Sequence, residues 1–171
     1  VLMFLLRGLP FVDLAYLRKS DLRDNVITYR RRKTGRPLSV TLTPEALELL
    51  KKYMNRDSHS PYLFSLLKSG EGTKEAYREY QLALRSFNQQ LTLLGEVLGL
   101  NDKLSSYTAR HTWATTAYYC EIHPGIISEA MGHSSIKVTE TYLKPFRNKK
   151  IDEANNQIID FVKHSIAGVV S

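Results

Sequence analysis

Near its end the chain reads Met131-Gly-His-Ser-Ser-Ile-Lys-Val-Thr-Glu-Thr-Tyr142, so that a tyrosine follows a Gly-His pair by nine residues. Gly132 is a typical helix C-cap, and a new helix from Ser134 or Ser135 is predicted to run through Tyr142 and to stop at Pro145. A phenol, with an ordinary pKa of about 10, is a poor nucleophile at neutral pH. It becomes effective when a base or a cationic pocket stabilises the phenolate. Tyr142 is therefore a candidate nucleophile if cations surround it.

The composition supplies such cations. The 171 residues are 43% hydrophobic and 24% charged, with 24 Lys and Arg against 17 Asp and Glu, which gives a net charge of +7. These values fit one globular domain. The excess favours a polyanionic partner such as nucleic acid, although a merely basic protein has the same composition.

Several other classes of protein are not indicated. The single cysteine, Cys120, rules out an internal disulfide framework and a thiolate metal cluster and fits a reducing compartment. The sequence contains no membrane-spanning apolar run, no signal peptide, no metal-ligand cluster and no glycine-rich phosphate loop. We therefore expect no metal or other cofactor and no membrane association.

The hydrophobic patterns predict a mainly α fold with one small antiparallel β-sheet, an α+β class. Alternating residues predict strands at 25–31 and 37–42, joined by a turn at Lys33-Thr-Gly35. This hairpin has a basic tip, made of Arg30, Arg31, Arg32, Lys33 and Arg36. Helices are predicted in two pieces within 1–17, at 44–54 after a Thr43 cap, at 74–95, from Ser105 or Ser106 to 119, at 124–131, up to 142, and at 149–162.

Four segments, in this order, resemble the catalytic domain of tyrosine recombinases (the phage integrase family). They are Asp13-Leu-Ala-Tyr-Leu-Arg-Lys-Ser-Asp21, Lys33-Thr-Gly35, Thr108-Ala-Arg-His-Thr-Trp-Ala-Thr115 and Met131 to Tyr142. Arg-His-Thr followed by Gly-His and a tyrosine nine residues later is the specific part of the pattern. The resemblance covers nearly the whole chain, and several details look closest to integrases of Bacteroides-type mobile elements.

The resemblance implies roles for three residues. Tyr142 is the nucleophile, Arg110 grips the reacting phosphate, and His133 donates to it as an imidazole that titrates near neutrality. Arginine suits a phosphate because its planar fork stays charged and binds in a bidentate way. The plainer alternatives are a surface arginine at 110 and a capping or surface histidine at 133.

The hairpin tip and the start of the Arg110 helix carry further candidates. Lys33 matches the family's lysine and could protonate the leaving 5′-oxygen, although most of the clustered basic residues must face solvent or the DNA backbone. Arg31 and Arg36 are expected to bind DNA and not to act in catalysis. Tyr107 stands where the family usually has histidine. It could donate to a phosphate oxygen, or it could be a half-buried structural tyrosine.

The first arginine of the family pattern is missing. Alignment of Asp13 with the family's acidic residue puts Pro10 at that place, and proline cannot bind phosphate. Arg7 lies three residues earlier, about one helical turn, and is predicted to reach into the same space. Asp13 would then orient a site cation, or else form a salt bridge on the helix surface.

The resemblance implies a site-specific recombinase that cleaves and rejoins double-stranded DNA through a 3′-phosphotyrosine intermediate, in the bacterial cytoplasm. A non-catalytic DNA-binding module of the same fold and a basic helical domain that binds RNA or protein are the alternatives. Residues 1–171 would be a catalytic domain without its N-terminal DNA-binding part. The apolar stripe of the last helix, with Ile151 and Phe161, either docks on a neighbouring subunit or packs on its own core.

Overall fold

The computed structural model describes residues 1–143 and 148–167. Its elements follow the predicted α+β class, with helices around one three-stranded antiparallel sheet. The helices are α1 (Leu2–Leu5), α2 (Phe11–Tyr16), α3 (Pro44–Tyr53), α4 (Lys74–Val97), α5 (Thr108–Tyr119), α6 (Pro124–Met131), α7 (Ile136–Glu140) and α8 (Asn148–Ala167). The strands are β1 (Leu22–Arg23), β2 (Val26–Arg30) and β3 (Pro37–Thr41), and a short 3-10 helix, Lys19–Asp21, precedes β1.

The first two helices are separated as predicted. Gly8 adopts a left-handed φ of +68°, which ends the α1 segment, and Pro10 is extended and caps α2 with φ −67° and ψ 151°. Proline fits there because its ring fixes φ and its missing N–H is not needed at a helix start.

The predicted hairpin is confirmed, with Ile27 opposite Val40 in the β2–β3 register. Strand β1, whose Leu22 pairs with Ile27, was not predicted from the sequence. A strand of two residues is too short to show an alternating pattern in the sequence. Asp24 and Asn25 close the β1–β2 turn with positive φ values of 47° and 61°, a conformation that Asp and Asn tolerate better than most residues.

Helix ends mostly follow the predicted signals. The Thr43 side chain accepts a hydrogen bond from the Ala46 amide at the start of α3, and Gly132 ends α6 in the left-handed conformation. The prediction that one helix runs through Tyr142 is wrong, because α7 ends at Glu140 and Tyr142 lies in the following turn. The predicted stop at Pro145 lies outside the described residues.

Three apolar clusters position the functional part of the chain. The largest joins α1, the sheet and α3 around Leu6, Ile27 and Leu50. A second packs Phe11 of α2 against α4. The third joins α5 to α6 through Ala114, Ile127 and Met131, with Tyr142 at its edge. The sheet, α5 and the α6–α7 connection are thereby held close together.

The apolar stripe of α8 is exposed. Ile151, Ile158 and Phe161 expose 56%, 64% and 74% of their surface, so most of the stripe is accessible among the described residues. Among the described residues, no helix combines the length and the apolar character that a bilayer crossing requires.

Candidate functional site

Arg110 lies buried in α5 and is held by backbone carbonyls. Only 2% of its surface is exposed, and its two terminal nitrogens donate to Gly8 O at 2.9 Å and Met131 O at 2.7 Å. A Cβ on Gly8 would lie 2.9 Å from Arg110 Cα, so the close approach of α1 to α5 requires glycine there. Burial and the neighbouring charge of Arg31 lower the pKa of Arg110.

His133 contacts Arg110 directly. Its Nε2 is 2.8 Å from the Arg110 guanidinium, and its Nδ1 is 2.8 Å from Thr139 Oγ1. Guanidinium nitrogens only donate, so Nε2 must accept, and Nδ1–H donates to the threonine oxygen. This assigns a neutral imidazole with the proton on Nδ1.

Burial, followed by the charges of Arg110, Arg31 and Lys33, lowers the pKa of His133 to about 4. The prediction that this imidazole titrates near neutrality is therefore wrong. The sequence could not show that the ring would be buried beside two guanidinium groups.

Tyr142 faces both residues. Its ring stacks on His133 with centroids 5.2 Å apart and lies 4.5 Å from the ring of His111. The nearby Tyr142 side chain partly offsets the lowering of the Arg110 pKa, so the phenol lies near the guanidinium. Thr115 Oγ1 donates to the Tyr142 carbonyl at 3.2 Å and fixes the turn that carries it. The structure thus brings Tyr142, Arg110 and His133 together.

His111 is a neighbour of the phenol that the sequence pattern did not single out. It follows Arg110, and adjacent helix residues face different ways. Its ring nevertheless reaches Tyr142, because the turn after α7 approaches that side of α5. The pattern of α5 alone contains no signal for this approach.

The hairpin tip lies against the α6–α7 connection. Thr34 Oγ1 donates to Gly132 O at 3.1 Å, and Arg36 donates to His133 O. Lys33 is exposed and lies close enough for its charge to help lower the pKa of His133. The tip therefore carries the predicted lysine to the edge of the cluster.

Arg31 differs from its predicted surface role. Only 5% of it is exposed, and its guanidinium forms an ion pair with Asp13, which also accepts from the Arg32 amide at 2.9 Å. The Arg31 guanidinium can be buried because the Asp13 carboxylate forms an ion pair with one of its terminal nitrogens inside the fold. Of the two roles predicted for Asp13, a helix-surface salt bridge and the orientation of a cation, the structure fits the second, and the cation is Arg31.

Two predicted site residues do not join the cluster. Arg7 has a left-handed φ of 57°, which turns its guanidinium to Ser39 O of β3 at 3.2 Å. Arg7 therefore does not reach the position of the family's first arginine, where this chain has Pro10. Tyr107 caps α5 with 55% of its surface exposed, and its ring is 6.4 Å from that of His111.

Known proteins share the pattern of this chain. It is 28% identical over 134 residues to the tyrosine recombinase XerC of Haemophilus ducreyi, with 75% of this chain and 42% of that protein covered. It is also 28% identical over 140 residues to the tyrosine recombinase XerA of Pyrococcus furiosus, with coverages of 80% and 46%. The chain spans about half the length of the curated relatives it matches.

Solved structures share the fold. A crystal structure of XerA recombinase superposes with a TM-score of 0.61 at 21% identity, over 91% of this chain and 53% of that one. The Tn1549 transposon integrase in complex with transposon right end DNA gives a TM-score of 0.63 at 16% identity, with coverages of 92% and 57%. The model of the phage integrase family matches residues 2–149. The chain therefore belongs to the phage integrase family.

Proposed function

We propose that this chain is the catalytic domain of a site-specific recombinase that cleaves and rejoins DNA strands through Tyr142. The observation that carries the proposal is the convergence of the Tyr142 phenol with the buried Arg110 guanidinium and the neutral His133 imidazole. Positioned cations and donors of this kind are what phosphoryl transfer requires.

In the proposed reaction the Tyr142 oxygen attacks a DNA phosphorus. A phosphorus–oxygen bond to the tyrosine forms, and the bond to the 5′-oxygen breaks. Arg110 stabilises the negative charge on the non-bridging oxygens. The 5′-oxygen takes a proton from the Lys33 ammonium and leaves as a hydroxyl.

The phenol proton passes to His133 Nε2, which becomes free when the bound phosphate takes over the Arg110 hydrogen bond that this nitrogen otherwise accepts. Part of the lowering of the His133 pKa comes from the charge of Arg110, and a bound phosphate offsets that charge, so the imidazole becomes more basic when substrate is present. A 5′-hydroxyl of a second strand then reverses the steps and releases Tyr142. The phosphotyrosine bond conserves the energy of the broken linkage.

An adduct assay tests the proposal. The DNA is a duplex selected by this chain from a random-sequence library, mapped for cleavage and nicked beside the cleaved phosphate so that the 5′-hydroxyl fragment diffuses away. We expect a denaturation-resistant protein–DNA adduct on Tyr142, identified by peptide mass spectrometry. The variant Tyr142→Phe should bind the duplex and form no adduct.

The control is Tyr53→Phe, which changes an exposed tyrosine of α3 and should form adduct at the wild-type rate. An adduct that persists in Tyr142→Phe would falsify the assignment of the nucleophile. Binding without any adduct in the wild type would favour the non-catalytic DNA-binding module, the alternative to which the positions of Arg7 and Tyr107 point.

The remaining properties of the whole protein belong to the same proposal. Double-stranded DNA is the partner, and copies of the chain associate on it through the exposed apolar stripe of α8. The segment works as a catalytic domain beside N-terminal DNA-binding parts. The finer resemblance to Bacteroides-type mobile elements and the bacterial cytoplasmic location rest on the sequence pattern and stay predictions.

A further inference from the structure

Arg31 is buried, yet its guanidinium is only partly satisfied. One terminal nitrogen pairs with Asp13. Arg31 Nε has no hydrogen-bond partner, and it is the one such atom among the buried side-chain polar atoms of the described residues. Buried polar groups are almost always paired, because an unmade hydrogen bond carries the full cost of lost hydration. A buried donor that lacks a partner indicates a ligand.

The Arg31 side chain runs along the backbone that carries His133. A Cβ on Gly132 would lie 2.7 Å from Arg31 Cγ and 3.4 Å from its Cδ. The charge of Arg31 is also the second cause, after burial, of the lowered pKa of Arg110, and it contributes to that of His133. Arg31 therefore approaches Arg110 and His133 from the end of β2.

The buried charges do not balance. Arg31 and Arg110 bring two positive charges, Asp13 brings one negative charge, and His133 is neutral. A buried ion that lacks its counter-charge is costly, so the excess of one positive charge favours an anion. A phosphodiester carries one negative charge and two non-bridging oxygens, and it would accept from both guanidinium groups.

We infer that Arg31 is a catalytic residue that donates from its free Nε edge to a non-bridging oxygen of the phosphate attacked by Tyr142. Asp13 positions it, through the other edge of the guanidinium. Arg31 thus supplies the second guanidinium of the site, for which the sequence offered only Arg7. The inference rests on the proposed function. It adds to the proposed site a second arginine, at the end of β2, that neutralises the negative charge of the phosphate.

A purely structural role for Arg31 accounts for fewer of its features than a catalytic role does. An ion pair that only anchored the hairpin to α2 would need the contact with Asp13 and no more. It would not require an unpaired Nε atom on Arg31. It would also not require the Arg31 guanidinium to lie near the Arg110 guanidinium, since the two positive charges repel each other. Both features become favourable when an anion lies between the two arginines.

The test compares two chemical forms of the selected nicked duplex. One has the natural phosphodiester at the cleaved position, and the other has a methylphosphonate, in which a methyl group replaces one charged oxygen. Two variants are measured by single-turnover adduct formation: Arg31→Lys, and the double variant Arg31→Met with Asp13→Asn. The double variant removes both charges together, which proteins tolerate better than one unpaired buried ion.

On the phosphodiester, both variants should lose at least about 10²-fold in rate, as removal of a key electrostatic donor does. On the methylphosphonate, whose transition state carries one negative charge fewer, their rates should approach that of the unchanged chain. The control Arg23→Lys changes an exposed arginine of the same sheet and should match the unchanged chain on both duplexes.

Two outcomes would overturn the inference while leaving the proposed function standing. Unchanged cleavage of the phosphodiester by both variants would mean that Arg31 does not contact the phosphate. An equal loss on both duplexes would mean that Arg31 acts by holding the hairpin in place. Absence of a Tyr142 adduct in the unchanged chain would instead overturn the proposed function, and the inference with it.

Discussion

Replacement of Gly132 by alanine tests the packing on which the candidate site depends. Gly132 ends α6 with φ +64°, and its missing side chain leaves room for Arg31 and for Leu38 of β3. A Cβ there would lie 2.7 Å from Arg31 Cγ and 2.9 Å from Leu38 Cδ1. Both distances are shorter than any ordinary carbon–carbon contact, so the Arg31 and Leu38 side chains, or the backbone that carries them, must move.

The expected loss of stability has two parts. The left-handed backbone costs an L-residue roughly 1–2 kcal/mol, and forcing extra volume into a packed region costs about 1–3 kcal/mol. Gly132→Ala should therefore lower the free energy of unfolding by about 2–5 kcal/mol. Gly99 is a matched control, since it follows α4 with the same φ of +64° but has no atom within 4 Å of the Cβ position. Gly99→Ala should lose only the backbone part.

Urea unfolding of the two variants and the unchanged chain measures both terms. The difference between Gly132→Ala and Gly99→Ala isolates the contact with the hairpin, because the backbone strain is common to both. Equal losses in the two variants would refute the reasoning, since the Arg31 side chain would then not pass against Gly132.

Two further predictions concern the charges of the site. Because the folded pKa of His133 is lowered to about 4, its contribution to stability is present above pH ~6.5 and is lost as the pH falls towards 4. By linkage at about 1.4 kcal/mol per pKa unit, the free energy of unfolding lost through His133 approaches 3 kcal/mol. Urea unfolding at pH 7 and pH 4 should therefore show a loss of stability on acidification that is smaller by about this amount in His133→Asn than in the unchanged chain. Asp13→Asn should cost about 3–5 kcal/mol because it leaves the buried Arg31 unpaired. Glu71→Gln, at the partly exposed ion pairs with Arg18 and Arg32, should cost about 1 kcal/mol or less. Equal losses in these last two variants would mean that the Asp13 pair is not effectively buried.

Local signals in the sequence were enough for most of the fold. Thr43-Pro44 marks a helix start by its hydroxyl acceptor and fixed φ, and Gly132 marks a helix end by its left-handed backbone, so both boundaries could be predicted. The alternation of 25–31 and 37–42 predicted the hairpin. The end of α7 before Tyr142 could not be predicted in this way, because the turn there is fixed by the Thr115 contact from another helix.

The sequence by itself determined the chemistry that is available: one late tyrosine after a Gly-His pair, an arginine in Arg-His-Thr and a basic hairpin tip. Only the tertiary structure decided which cations meet. Arg7 lies in an apolar stretch and Arg31 in a basic one, and neither context shows which arginine joins the site. A left-handed backbone turns Arg7 to Ser39, while the Asp13 carboxylate, 18 residues away in sequence, draws Arg31 into the interior beside Arg110. Charge pairing between distant segments is a property of the folded chain, so its outcome cannot be read from either segment alone.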